Sequence, residues 1–144
     1  MQLGAALAGA AIENSMLGAA HAAANPLTAH FDIVHGHAVG LMLPHVVRFN
    51  AEDAGVRAVY ADLAVSGGVA AVGNAMPQTI DALLARLEDL MGFTHLPRSL
   101  AACGVERAAI PMLAAEAAAQ WTAGFNPRPV AQEDFVKLYE AALE

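Results

Sequence analysis

Histidines are concentrated in one short segment of the chain. Five of the six lie between positions 21 and 45, at His21, His30, His35, His37 and His45. Neutral imidazole is the commonest side-chain ligand of metal ions, and histidine is also a general acid or base near neutral pH. The segment therefore predicts a metal site or a proton-transfer site, with ordinary polar positions as the alternative. The spacing alone matches neither the paired histidines of a helical zinc site nor a cysteine-containing finger.

The predicted helices could bring two of these histidines together. The first helix is predicted over Gln2–Ala24 and ends at Asn25-Pro26, because the residue before a proline is disfavoured in helical geometry. A loop over 26–34 follows, and a second helix runs from His35 to about Asn50. If the loop returns the chain on itself, His21 near the end of one helix and His35 at the start of the next can face one ion.

The rest of the chain also has helical patterning. Four further helices are predicted, over 51–64, 79–91, 106–122 and 132–143. Apolar residues recur at three- and four-residue intervals in them, most clearly at Ile80, Leu83, Leu84 and Leu87. The only weak strand candidate is 69–72. We therefore predict an all-α fold, with about six helices in one domain over residues 1–144.

The first two predicted helices each lead to a more specific prediction. Pro44 lies inside the second predicted helix and should kink or break it near 41–43, because proline removes a backbone hydrogen bond. The first predicted helix is apolar nearly all round, so we expect it to be buried.

Composition excludes several classes of protein. The chain has 144 residues, 57% hydrophobic and 15% charged, with 35 alanines, so intrinsic disorder is excluded. The net charge is −7 and basic residues form no cluster, which argues against nucleic-acid binding. The first basic residue is Arg48, which argues against a signal peptide. Glu13, Asn14 and His21 interrupt the first apolar run, which argues against a membrane span.

The number of cysteines indicates the redox environment of the protein. The single Cys103 excludes an internal disulfide framework and any site with several cysteines. A reducing, cytoplasmic environment is therefore expected.

Several motifs resemble one enzyme family over nearly the whole chain. They are the run from Ala8 to Ala22, Asn25-Pro26-Leu27, His35-Gly36, Leu43-Pro44-His45-Val46, Phe49-Asn50 and Asn126-Pro127-Arg128. Together they look like the helical C-terminal domain of the iron-containing (group III) alcohol dehydrogenases, which carries AG-x-A-x-x-N-x-x-LG-x-x-HA, then HG, then LP-x-V-x-x-FN. The likeness is strongest from Gly4 to Asn50.

The resemblance implies a metal-dependent oxidoreductase. In this family one Asp and three His hold a divalent metal, usually Fe²⁺ and sometimes Zn²⁺, and two of those His correspond to His21 and His35. The metal polarises the oxygen of a small alcohol or aldehyde, so that hydride can pass to or from NAD(P). The family's N-terminal nucleotide-binding domain is absent from this sequence, as are the Asp and third His that precede this region. We therefore expect the chain alone to be inactive.

One position departs from the family in a way that matters for proton transfer. Many members carry a second His one turn after the first ligand, often assigned to proton relay or substrate contact, and Asn25 stands there. An amide can hydrogen-bond but cannot titrate, so relay through Asn25 is in doubt. Its alternative role is structural, at the end of a helix before Pro26.

Other residues remain candidates with smaller roles. Asp32, in the loop between the two histidines, could reach the ion. Glu13 could replace a missing ligand, but a salt bridge or an exposed position is the favoured interpretation. His30 could line the mouth of the substrate site, whereas ordinary polar positions are the simpler reading of His37 and His45.

Two classes of function remain open. The first is the C-terminal part of a metal-dependent alcohol dehydrogenase. The second is a non-catalytic helical domain that self-associates through its apolar first helix, and in either case we expect a homo-oligomer. A histidine-rich metal carrier is a third reading, and it requires His37 or His45 as additional ligands.

Overall fold

The computed structural model describes residues 2–144 and forms seven α-helices. They are α1 (Gln2–Ser15), α2 (Ala19–Phe31), α3 (His35–Asn50), α4 (Ala54–Ser66), α5 (Met76–Gly92), α6 (Ile110–Ala119) and α7 (Gln132–Leu143). Short 3-10 segments lie at Ala101–Cys103, Arg107–Ala109 and Trp121–Phe125. No strand is present within residues 2–144, so the all-α prediction is confirmed and 69–72 is a turn region.

Four helices, α2, α3, α6 and α7, enclose the main core. Phe135 and Tyr139 of α7 are fully buried in this core, which also contains Leu27, Met42 and Leu113. The Tyr139 hydroxyl donates a 2.7 Å hydrogen bond to the Ala23 carbonyl of α2, so the one polar atom of this ring is satisfied in the interior. This packing fixes α2 and α3, the helices that carry the clustered histidines.

A second, smaller core joins α3 to α4 and α5. Its buried residues are Val47, Ala51, Ala64, Ile80, Leu83 and Leu84. The predicted apolar stripe of α5 therefore faces inward as expected. Asp53 begins α4 by accepting a hydrogen bond from the Val56 amide, a favourable N-cap.

The predicted first helix is in fact two helices, which raises the helix count from about six to seven. The chain leaves helical geometry after Ser15, and Met16 takes a left-handed φ of 60°. Asn14 and Ser15 each hydrogen-bond a carbonyl four residues earlier, an arrangement that competes with regular helix continuation. α2 then begins after the extended Gly18.

Pro26 does not end α2, contrary to expectation. The helix continues to Phe31, and only 32–34 form the connection to α3. An interior proline costs about 3 kcal/mol in an isolated helix. Here the flanking Ala23, Ala24 and Leu27 are completely buried, so tertiary packing outweighs that cost. Pro44 likewise lies inside an uninterrupted α3.

The expectation that the first predicted helix is buried holds for its part in α2, where the alanines from Ala19 to Ala24 are buried, but is wrong for α1. Every residue of α1 is exposed, including Leu3 and Leu7. Its apolar side chains therefore have no place in the core formed by residues 2–144. None of the helices described is long and apolar enough to cross a bilayer.

Candidate metal centre

His21 and His35 are neighbours in space. Their ring centres lie 5.4 Å apart, with the ring planes inclined by 47°. His21 is in the first turn of α2 and His35 is the first residue of α3. The predicted pairing of the two rings is present, but His21 lies near a helix start and not, as expected, near a helix end.

The separation of the rings fits a shared metal ion. Metal–nitrogen bonds of about 2.1 Å at tetrahedral angles place the centres of two ligating imidazoles roughly 5 Å apart. Burial and the adjacent His35 both lower the pKa of His21 from its ordinary value. A neutral imidazole is the form that binds metal, so the electrostatics of the pair are compatible with the geometry.

No third ligand joins this pair within residues 2–144. No group of three or more His, Cys, Asp or Glu in that range is placed to hold a metal. Asp32 is exposed at the C-terminus of α2, where it adopts a left-handed φ of 53°. Glu13 lies on the exposed α1. A four-coordinate site at His21 and His35 would need ligands from outside this set of residues.

Asn25 lies one turn after His21 inside α2, on the same face of the helix. It is half-buried, and its Nδ2 donates a 2.9 Å hydrogen bond to Oε1 of Gln120. The structural role expected from the sequence, at a helix end, is wrong because α2 continues past this position. Gln120 instead orients the amide beside the histidine pair.

The remaining clustered histidines have separate environments. His30 forms a 2.8 Å contact with Glu116 of α6, and Nε2 of His37 donates to the Pro97 carbonyl at 2.7 Å. Nδ1 of His45 is buried without a hydrogen-bond partner. Burial, followed by the nearby Arg48, lowers the pKa of His45, and Glu88 partly opposes the shift.

One polar network beside the pair was missed by sequence reasoning. Asn126 exchanges two hydrogen bonds with Asn50 and accepts a third from the Ala19 amide at the start of α2. Next to it, the Arg128 guanidinium lies 3.8 Å from the centre of the Phe49 ring and pairs with Glu52 at 2.8 Å. The FN and NPR motifs were recognised in the sequence as features shared with the family, but no local pattern predicted that they contact each other.

Comparison with known proteins gives one family. The model of the Fe-containing alcohol dehydrogenase family, C-terminal, matches residues 1–143. The lactaldehyde reductase of Escherichia coli is 36% identical over 142 residues, covering 99% of this chain and 37% of that protein. The NADPH-dependent butanol dehydrogenase of Clostridium saccharobutylicum is 28% identical, covering 93% and 34%.

A solved structure agrees with this relationship. The alcohol dehydrogenase from Oenococcus oeni superposes with a TM-score of 0.86 at 28% identity, covering 94% of this chain and 35% of that one. The chain thus spans little more than a third of the length of the relatives it matches.

Proposed function

This chain belongs to the iron-containing alcohol dehydrogenase family, of which it represents the C-terminal region, and we propose that it supplies His21 and His35 as two ligands of a catalytic divalent metal. The observation that carries the proposal is the 5.4 Å separation of the two imidazole rings. They come from different helices and lie fourteen positions apart in sequence, so the fold is responsible for their meeting.

The proposed chemistry is that of a reversible alcohol oxidation in a complete enzyme. Bound Fe²⁺ or Zn²⁺ would supply Lewis-acid polarisation of an alcohol or carbonyl oxygen. His21 and His35 would hold the ion, and the Asn25 amide would offer hydrogen bonding, but no titratable proton, to a substrate oxygen. Binding of NAD(P) and the other metal ligands belongs to parts of a complete enzyme outside residues 2–144.

The substrate class follows the relatives. Their names describe the conversion of lactaldehyde and butanol, so we propose a small alcohol or aldehyde as the substrate of the complete enzyme. Residues 1–144 alone would be inactive, because two histidines complete neither the coordination of the metal nor the binding of the nicotinamide.

Zinc titration of the purified chain tests the ligand assignment. His21→Ala and His35→Ala should each weaken Zn²⁺ binding by about tenfold or more, because each removes one of the two protein ligands. His95→Asn is the control, since His95 is exposed with a φ of 57° that asparagine also tolerates. Equal affinity in all variants, measured by isothermal calorimetry, would contradict the assignment.

The alternative function is a non-catalytic helical domain that associates with a second copy of itself. The supporting observation is α1, which is wholly exposed and carries Glu13 as its only charged residue. Apolar helices without partners favour association, because the second copy removes the same surface from water. Self-association and metal binding are compatible, so the homo-oligomer is proposed for either function.

A further inference from the structure

Asn126 is the residue through which the C-terminal part of the chain reaches the histidine pair. Its Oδ1 accepts from the Ala19 amide and from Nδ2 of Asn50, both at 3.2 Å. Its Nδ2 donates to Oδ1 of Asn50 at 2.7 Å and to the Arg128 carbonyl at 2.6 Å. Both donors of this amide and its acceptor oxygen are thus used, which leaves the side chain a single orientation.

The contact with Ala19 fixes the start of α2. The first amides of a helix have no partner within the helix, and Gly18, the residue that precedes α2, has no side chain to cap them. Asn126, 107 positions away, accepts a hydrogen bond from the first of these amides, that of Ala19. His21 lies only two residues after Ala19, so the orientation of this first turn sets the direction of its imidazole.

Gly18 is the counterpart of this contact. A Cβ built at this position would lie 3.1 Å from Oδ1 of Asn126, a tight contact that would push the amide back by a few tenths of an ångström. The absence of a side chain at 18 therefore allows the amide to approach the helix end.

The contact with Asn50 ties the same amide to the other helix of the pair. Asn50 is the last residue of α3, which begins at His35, and it is almost fully buried. Its Nδ2 also reaches the Tyr60 hydroxyl at 3.0 Å, which anchors it to α4. One amide therefore links the N-terminus of α2 to the C-terminus of α3.

We propose that Asn126, paired with Asn50, is a positioning residue that holds the first turn of α2 so that His21 faces His35. The inference rests on the proposed function for its metal-binding consequence, but the positioning itself can be measured without metal. Removing the cap should let the first turn of α2 fray, because the amide of Ala19 then loses its partner and the tie to Asn50 is lost with it.

The first test compares Asn126→Ala with two designed partners. In Asn126→Ala/Gly18→Ser, a serine in the space that the amide has vacated holds the same turn by a local cap on the amide of Ala20 or His21. Leu84→Ala in the second core lowers stability without touching the network. The contact between the His21 and His35 rings is measured by NMR in the metal-free chain, as the nuclear Overhauser effect between their ring protons.

The expected pattern separates positioning from general stability. The ring–ring effect should be present in the parent chain and in Leu84→Ala, lost in Asn126→Ala and recovered in the double variant. Zinc affinity should follow the same order, with Asn126→Ala weakened about tenfold, a typical cost of losing a residue that orients a ligand.

Each result bears on a different statement. Persistence of the ring–ring effect in Asn126→Ala, or its loss in Leu84→Ala as well, would overturn the positioning role whether or not zinc binds. A parent chain that shows the effect but whose zinc affinity is the same in His21→Ala and His35→Ala would overturn the proposed ligand role and leave the positioning role intact.

Discussion

Asn25 offers the most direct test of chemistry at the scale of single residues. It lies four positions after His21 on the same helical face, so Asn25→His would create an i, i+4 histidine pair beside His35. Pairs of this spacing on a helix chelate zinc. We expect Asn25→His to tighten Zn²⁺ binding by about tenfold, or about 1.4 kcal/mol, measured by calorimetric titration.

A histidine placed elsewhere on α2 is the matched control. Ala29 is exposed and lies two turns from His21, so Ala29→His adds an imidazole to the helix too far from His21 to share an ion with it. Equal gains in the two variants would mean that zinc binds nonspecifically to added histidines. No gain in Asn25→His would mean that this face of α2 is turned away from the ion.

The sequence predicted the pairing of two histidines better than the contacts that support it. His21 and His35 were paired from motif and helix placement, and their ring centres lie 5.4 Å apart. Asn126 was missed because its contact with Ala19 spans 107 positions, and no local pattern reports a hydrogen bond of that range. Long-range polar contacts depend on the packed fold, which a single sequence does not contain.

At the scale of helices, His45 should make the stability of the fold depend on pH. It belongs to α3 and lies between Arg48 on its own helix, Glu88 of α5, and Asp134 and Lys137 of α7. Its pKa is lowered in the folded chain, so below about pH 6.5 His45 binds a proton more readily in the unfolded chain than in the folded one. The free energy of unfolding should therefore fall as the pH drops from about 7 to about 5.

Urea unfolding followed by far-ultraviolet circular dichroism measures this dependence. His45→Gln removes the titrating group and should flatten part of the pH profile. His21 has a pKa shift of the same sign and keeps its contribution in that variant. A profile identical to that of the parent chain would contradict this prediction, because it would mean that the pKa of His45 is the same in the folded and unfolded chain.

The helices themselves show where local sequence rules hold and where packing overrides them. α3 and α7 have the predicted limits, because the residues that mark helix ends and the amphipathic pattern agree there. α6 is shorter than predicted, since 107–109 and 121–125 are 3-10 segments. At Pro26 the rule that a proline ends a helix fails, because the buried alanines around it keep the helix together. The helix break at Met16 was not predicted, because its left-handed backbone geometry is unusual for methionine.

At the scale of the whole molecule, α1 is the feature that the rest of the fold does not explain. It contributes no buried residue, whereas α2, which follows it, is buried along most of its length. The sequence predicted one buried apolar helix, and apolar composition alone could not show that its first half has no partner within residues 2–144. The proposed homo-oligomer would cover this surface with a second copy of the chain.

Light scattering should therefore give a mass above the 14.8 kDa of a single chain. Leu7→Glu places a charge on the exposed face of α1 and should shift the mass toward that of the monomer, because burying an unpaired carboxylate is costly. The free energy of unfolding of the helical body should stay unchanged, since Leu7 packs against none of its core. Leu63→Glu, at a similarly exposed leucine of α4, is the control and should leave the mass as it is. A parent chain that remains monomeric at high concentration, or an equal effect of both substitutions, would remove α1 as the site of association.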